Sequence, residues 1–205
     1  MNLHGGIAMD LNRFSKQLDF IIEIDKAKQI FRNTILMDAS RKENDAEHSW
    51  HMAVAAVVFS EYCNENGIDM LKVIKMALIH DVVEIDAGDT FAYGNVNREE
   101  KAEKELNAAK RIFGLLPEEQ NKEFLSLWNE YEAGITQEAK FAQAMDSFMP
   151  ILHNYKTKGL QWQRLNVTSD KVLARNQRIE KGSEELWDYI KNIVGDAVEK
   201  GYIEK

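Results

Sequence analysis

A single cysteine, Cys63, in 205 residues excludes any intrachain disulfide. Only 2 prolines and 11 glycines punctuate the chain, which argues against many short strands joined by tight turns and for long helices. No apolar run approaches the roughly 20 residues needed to span a bilayer. Met1 to Asp10 has neither the basic stretch nor the apolar core of a secretion signal. The expected setting is therefore a reducing cytoplasm, with no membrane partner. Basic blocks are missing too: 26 Lys and Arg face 34 Asp and Glu, a formal charge of -8, and no cationic run interleaved with aromatics could track a phosphate backbone. Nucleic-acid polymers are thus not expected partners. A small phosphorylated ligand stays compatible with this charge, because a bound cation can invert the field inside one cleft. The tryptophans Trp50, Trp128, Trp162 and Trp187 are scattered, so they form no base-stacking platform.

What is present is apolar residue at helical spacing. With 44% hydrophobic residues the chain can bury one sizeable core. The expectation is one all-α domain over 1–205, with a core of about 18–155 and a helical extension of about 160–205. Leu18, Ile21, Ile22, Ile24, Ala27, Ile30 and Phe31 predict a helix over 14–31 with one buried face, bent near Asp25. Arg32 to Asn44 loses that period and reads as a loop. A buried helix follows over 47–66, ended by Gly67. The next is capped by Asp69 and runs to Ala87 and Gly88. Asn97, with Glu100 three residues on, has the capping-box spacing, and Gly114 closes that helix. Pro117 suits a first turn, with Gly134 as the stop. Helices over 136–155 and 170–194 complete the set. Cys63 and the methionines are expected to pack in the core.

The segment His80-Asp81-Val82-Val83-Glu84 places three polar groups at the end of an apolar helix. Adjacent helical residues point about 100° apart, so His80 and Asp81 can approach one cation between them, with Glu84 a turn later. His48 and Asp146 each interrupt another apolar stretch, where an ionised carboxylate is costly without a counter-charge. A lone histidine on an apolar face is usually a hydrogen-bonded core residue; it is the ordered set that speaks for a ligand. Two imidazoles and two carboxylates suit one divalent ion among Mn, Co, Fe, Ni and Zn, with Mg less natural for histidine. His51 and His153 are expected to be structural, and His4 belongs to the amino-terminal tail. Arg41 stands between two readings, a contact to a substrate phosphate and a brace for Glu43 or Glu47.

The order His48, His80-Asp81, Asp146 resembles the H…HD…D pattern that names the HD superfamily. The runs Arg41-Lys42-Glu43-Asn44-Asp45-Ala46-Glu47-His48-Ser49 and His80-Asp81-Val82-Val83-Glu84-Ile85-Asp86-Ala87-Gly88-Asp89 resemble the HD-domain 5'-deoxynucleotidases, and the similarity spans roughly Leu18 to Tyr155. The resemblance implies a helical bundle, one divalent metal, hydrolysis of a phosphate monoester on a nucleoside monophosphate, and a homodimer. It implies His48, His80, Asp81 and Asp146 as ligands and Glu84 as the group that activates or positions water. It further implies Asp89 at a sugar hydroxyl and Arg32 at the phosphate. The departure lies upstream, where the deoxynucleotidases carry an Arg-Trp pair and this chain reads Arg32-Asn33-Thr34. Without that tryptophan the expected preference for deoxyribose is weaker, unless Phe31 or Trp50 supplies the wall. Two other readings stay open: a phosphodiesterase, pyrophosphohydrolase or dinuclear oxygenase on the same fold, and a non-catalytic metal- or nucleotide-binding module. The absence of histidine from 82 to 145 argues for one metal, and Glu84 beside the full ligand set argues for catalysis.

Overall fold

The computed structural model describes residues 9–88 and 97–205. Helix α1 (Leu11–Ile24) runs into a 3-10 turn at Asp25–Gln29, then a hairpin of β1 (Phe31–Ile35) and β2 (Lys42–Asn44). The helices α2 (Asp45–Val58), α3 (Met70–Ile79), α4 (Glu84–Ala87), α5 (Arg98–Phe113), α6 (Glu118–Ala133) and α7 (Gln137–Lys156) follow. The chain then turns through α8 (Leu160–Arg164), α9 (Ser169–Asn176), α10 (Arg178–Gly182) and α11 (Glu184–Glu199). The all-α expectation holds apart from the hairpin, and no described helix is long and apolar enough to cross a membrane. Helix α7 sits in the middle, packed by α2, α3, α6, α10 and α11, and one apolar cluster runs from Phe20 to Ile203. The extension therefore shares the core of the preceding segment.

Four departures from the sequence reading position the site. The expected loop over 32–44 is the hairpin: Phe31 pairs with Asn44 and Ile35 with Lys42, while polar residues make the turn and Ala39 takes a left-handed φ of 61°. Asn44 then closes a capping box with Glu47, so α2 begins at Asp45 and His48 falls in its first turns. This helix stops at Val58 rather than Asn66, because Asn64 is needed elsewhere. Its amides donate to the carbonyls of Glu180 and Gly182, and its Oδ1 accepts from the Glu184 amide at 2.8 Å, clasping the junction between α10 and α11. Helix α3 ends at Ile79, and a turn carries the chain to α4 and to Gly88, whose φ is 75°. His80 and Asp81 thus sit at a helix end and the turn after it, not inside a helix.

The single helix expected over 170–194 is three. Gly182 lies so close to α7 that a Cβ there would come 2.5 Å from the Lys140 carbonyl, and Ser183 restarts the chain by capping α11 through the Leu186 amide. Asn97 caps α5 through the Glu99 amide at 3.1 Å, not through a box with Glu100. The bend near Asp25 is where α1 tightens to 3-10, but the face of α1 is not covered as expected. Leu18, Ile21 and Ile22 are exposed, together with Leu11 and Phe14, while Phe20 is the buried residue.

A final turn holds the extension in place. Gly159 is left-handed at φ 75°, and a Cβ there would sit 1.8 Å from the Tyr202 carbonyl. Beside it the Ser169 amide donates to the Glu204 carbonyl at 2.7 Å.

Candidate metal centre and cleft

Three helices converge on one spot. The capping box fixes the start of α2 and turns His48 into the core, where it is fully buried. His80 caps α3 with its own carbonyl accepting from Trp128 Nε1 at 3.3 Å, and Asp146 comes from the middle of α7. His48 Nε2 lies 3.1 Å from Asp146 Oδ1; His80 Nε2 lies 3.0 Å from Asp81 Oδ2 and 3.8 Å from Asp146 Oδ1. One ligand atom from each of His48, His80 and Asp146 falls within 4.8 Å of the others. Pro150 lies inside α7 one turn past Asp146, and its missing amide is the one that would have bonded the Asp146 carbonyl.

The arrangement of donors favours a cation. His80 Nδ1 donates to the Ala77 carbonyl at 2.9 Å, which turns Nε2 toward the carboxylates. That nitrogen is buried without a hydrogen-bond partner among the described residues, and it faces carboxylate oxygens. Two partly buried carboxylates crowded on one unpartnered imidazole nitrogen are unfavourable unless positive charge lies among them. Imidazole and carboxylate donors so arranged fit a divalent transition ion. Burial and nearby Arg32 pull the His48 imidazolium down, but Asp146 and Glu43 outweigh them and carry its pKa up to about 9. The pocket thus prefers positive charge at this ring as well.

Around the histidines sit the carboxylates and their counter-charges. Asp45, Asp81 and Glu84 bring one oxygen each within 4.8 Å of one another. Arg32, from β1, ion-pairs with Asp81 and lies 3.6 Å from Asp45 and 3.8 Å from Asp146. Burial works against the Arg32 charge, yet Asp81, Asp146, Glu84 and Asp45 together raise its pKa. Asp81 titrates well below the usual carboxylate range: burial opposes this, and His80 and Arg32 overcome it. Asp146 is held low likewise, against burial, by His48 and Arg178. Its Oδ2 accepts from the Tyr131 hydroxyl at 3.2 Å and from Arg178 Nη2 at 2.6 Å, while Arg178 Nε donates to Ser147. Burial and Asp146 push the Tyr131 hydroxyl well above its ordinary value, so it stays a donor.

A cleft of about 330 Å³ opens over these groups. Arg32, His80, Asp81, Glu84 and Asp146 line it, whereas the fully buried His48 does not. Arg41 does not: it makes a two-pronged pair with Glu47 at 2.6 and 2.8 Å, so of its two readings the brace is the one observed. Asp89 lies outside the described residues. The aromatic wall is neither Phe31 nor Trp50, which are 53% and 63% exposed and away from the cleft; Trp162 of α8 and Tyr131 of α6 take that place, with Asn33 and Thr34 beside them. Gln161, next to Trp162, donates to the Asn33 carbonyl and locks α8 onto β1. The sequence reading missed Asp45, Tyr131 and Arg178. Asp45 could have been found, since it precedes His48 by three residues and so shares its helix face. For Arg178 no spacing in the sequence points to the site.

A family model described as HD domain matches residues 24–187 of the chain. A 5'-deoxynucleotidase of Homo sapiens is 31% identical over 158 residues, covering 77% of this chain and 72% of that protein. A solved structure from Magnetospirillum magnetotacticum, described as a predicted metal-dependent phosphohydrolase, is 46% identical and superposes with a TM-score of 0.92 over 98% of this chain and 100% of that one. A conserved hypothetical protein from Pyrococcus furiosus, at 23% identity and a TM-score of 0.59, covers 89% of this chain and 99% of its own and shares the fold.

Proposed function

The chain belongs to the family of HD-domain proteins and is a hydrolase, and from that premise we propose that it removes the 5'-phosphate from nucleoside monophosphates, deoxyribonucleotides among them, with the help of one divalent cation. The observation that carries this reading is His80 Nε2, buried without a hydrogen-bond partner among the described residues and turned toward the carboxylates of Asp81 and Asp146 in a cleft that Glu84 also lines. His48, His80, Asp81 and Asp146 are the ligands in this reading. A cation held there would polarise the phosphoryl oxygens and lower the pKa of nearby water. Glu84 accepts the proton of the attacking water as the new P–O bond forms and the bond to the nucleoside oxygen breaks. Arg32 and Arg178, which both line the cleft, offer guanidinium groups to the departing phosphate. Asp89 keeps the sugar-hydroxyl contact that the family resemblance gives it. Among metals, Mn, Co, Fe, Ni and Zn match the mixed nitrogen and oxygen donors better than Mg.

The assembly belongs to the same proposal. Exposed Leu11, Phe14, Leu18, Ile21 and Ile22 give α1 an apolar stripe of the kind that two-fold dimers cover. The function is tested by measuring phosphate release from dAMP, AMP, dUMP and UMP, with a phosphodiester alongside, in Mn, Co, Mg or chelator. Metal-dependent release from the monophosphates is expected. Cleavage of the diester alone would overturn the reading.

A further inference from the structure

The described residues hold a second group of metal-ligating atoms that this chemistry does not use. Glu43 lies on β2, His51 on α2 one turn beyond His48, and His153 near the end of α7; one ligand atom from each falls within 4.8 Å of the others. Glu43 and His153 are each 2% exposed, whereas His51 is half-buried and reaches the outside. None of the three lines the cleft.

Two buried atoms in this group are left over by the rest of the fold. His153 Nδ1 donates to the Ile35 carbonyl at 2.9 Å, which turns Nε2 toward Glu43 Oε1, 3.9 Å away. Neither that nitrogen nor Glu43 Oε2 has a hydrogen-bond partner among the described residues. The nearest donor to Glu43 Oε2, His48 Nδ1, stands at 3.6 Å, beyond hydrogen-bond range. The His51 ring meets His153 edge to face, with centroids 5.6 Å apart, and closes the third side. A buried carboxylate oxygen and a buried imidazole nitrogen left without partners are costly, and one cation between the carboxylate and the ring satisfies both.

We propose that Glu43, His51 and His153 form a second cation site, separate from the cleft, that takes Zn²⁺ or a similar transition ion. Two imidazoles and one carboxylate are the donor types of zinc sites, and an all-oxygen ion such as Mg²⁺ or Ca²⁺ is poorly served by them. The three ligands come from the hairpin, α2 and α7, so the ion ties these elements together. Glu43 also faces His48, which places it between the two centres, where it helps to orient the inner histidine.

The test uses the full chain, stripped with chelator and dialysed against micromolar Zn²⁺, with metal per protein measured by elemental analysis and unfolding followed by heat. Wild type should hold two equivalents, His80→Ala one, His51→Ala one, and the double variant none. His51 is only partly buried, so His51→Ala should fold, with an unchanged circular dichroism spectrum in chelator, and should show a smaller Zn²⁺-induced rise in Tm. Co²⁺ loaded into His80→Ala should give the visible absorption of a four-coordinate site, lost on adding His51→Ala. A metal count undiminished by His51→Ala in wild type, or a Co²⁺ spectrum undiminished by His51→Ala in the His80→Ala background, overturns the site. The cleft centre is read from His80→Ala alone, so the two assignments fail separately.

Discussion

The floor and the wall of the cleft are built in different ways. The floor consists of His80, Asp81 and Asp146, from the end of α3, the turn after it and α7, with the fully buried His48 of α2 against Asp146. The wall consists of Trp162, Arg175 and Arg178, drawn from short helices of the extension that follow one another through tight turns. The residues proposed to hold a cation sit on helices of the shared core or at the end of one. The wall residues sit on short helices joined by tight turns, with Trp162 anchored in the same core. Floor changes should therefore abolish turnover, and wall changes should alter its degree and its selectivity.

The largest effect expected is that of His80→Ala, which removes one ligand and exposes the other anions to each other. It should lose the cleft metal and, because a cation supplies several kcal/mol of charge stabilisation, on the order of 10³ or more in kcat/KM. Full metal content with retained phosphate release would break the distinction at its root. Glu84→Gln should keep the metal yet lose about 10² to 10⁴ in kcat, the usual worth of a general base. If elemental analysis showed the metal gone as well, Glu84 would belong among the ligands.

Arg178 joins wall to floor, and its variant should fall between the two. Arg178→Ala should cost about 10- to 100-fold in kcat/KM, since Asp146 loses a partner that orients it. Arg178→Lys should recover only part of that loss, because an ammonium cannot span Asp146 and Ser147 as the guanidinium does. Complete rescue by lysine would reduce Arg178 to a plain charge. The smallest effect concerns sugar choice. A pocket that merely has room rejects an added hydroxyl by about 10²-fold or less. The ratio of kcat/KM for dAMP over AMP should stay within that limit, fall in Trp162→Leu and rise in Thr34→Trp. A ratio unmoved by both changes would take sugar selection away from the wall.

The same division governs what could be read from the sequence. His48, His80 and Asp146 stood out because each is polar within an apolar helical stretch, and that contrast follows from chain-local physics. Periodicity also located α3, α6 and α7 to within a residue or two at their capped starts. It gave α1 an apolar face but could not say what covers it, since Leu18, Ile21 and Ile22 are exposed. The hairpin was hidden because its strands are short and mostly polar. The breaks in the extension depend on Gly182 fitting against α7 and on Asn64 reaching Glu184, contacts more than forty residues apart in the chain. Arg178 enters the site only through those breaks.

Gly159 gives this arrangement an evolutionary side. Any side chain there must push the Tyr202 carbonyl away, and Tyr202 lies beside the strand-like contact that holds the start of α9. A change at Gly159, or in residues 202–204 opposite it, would tilt Trp162 and Arg175 without touching a single residue of the floor. Descendants of such a chain could drift toward new nucleotides through positions that never meet them, while the hydrolytic step is inherited intact.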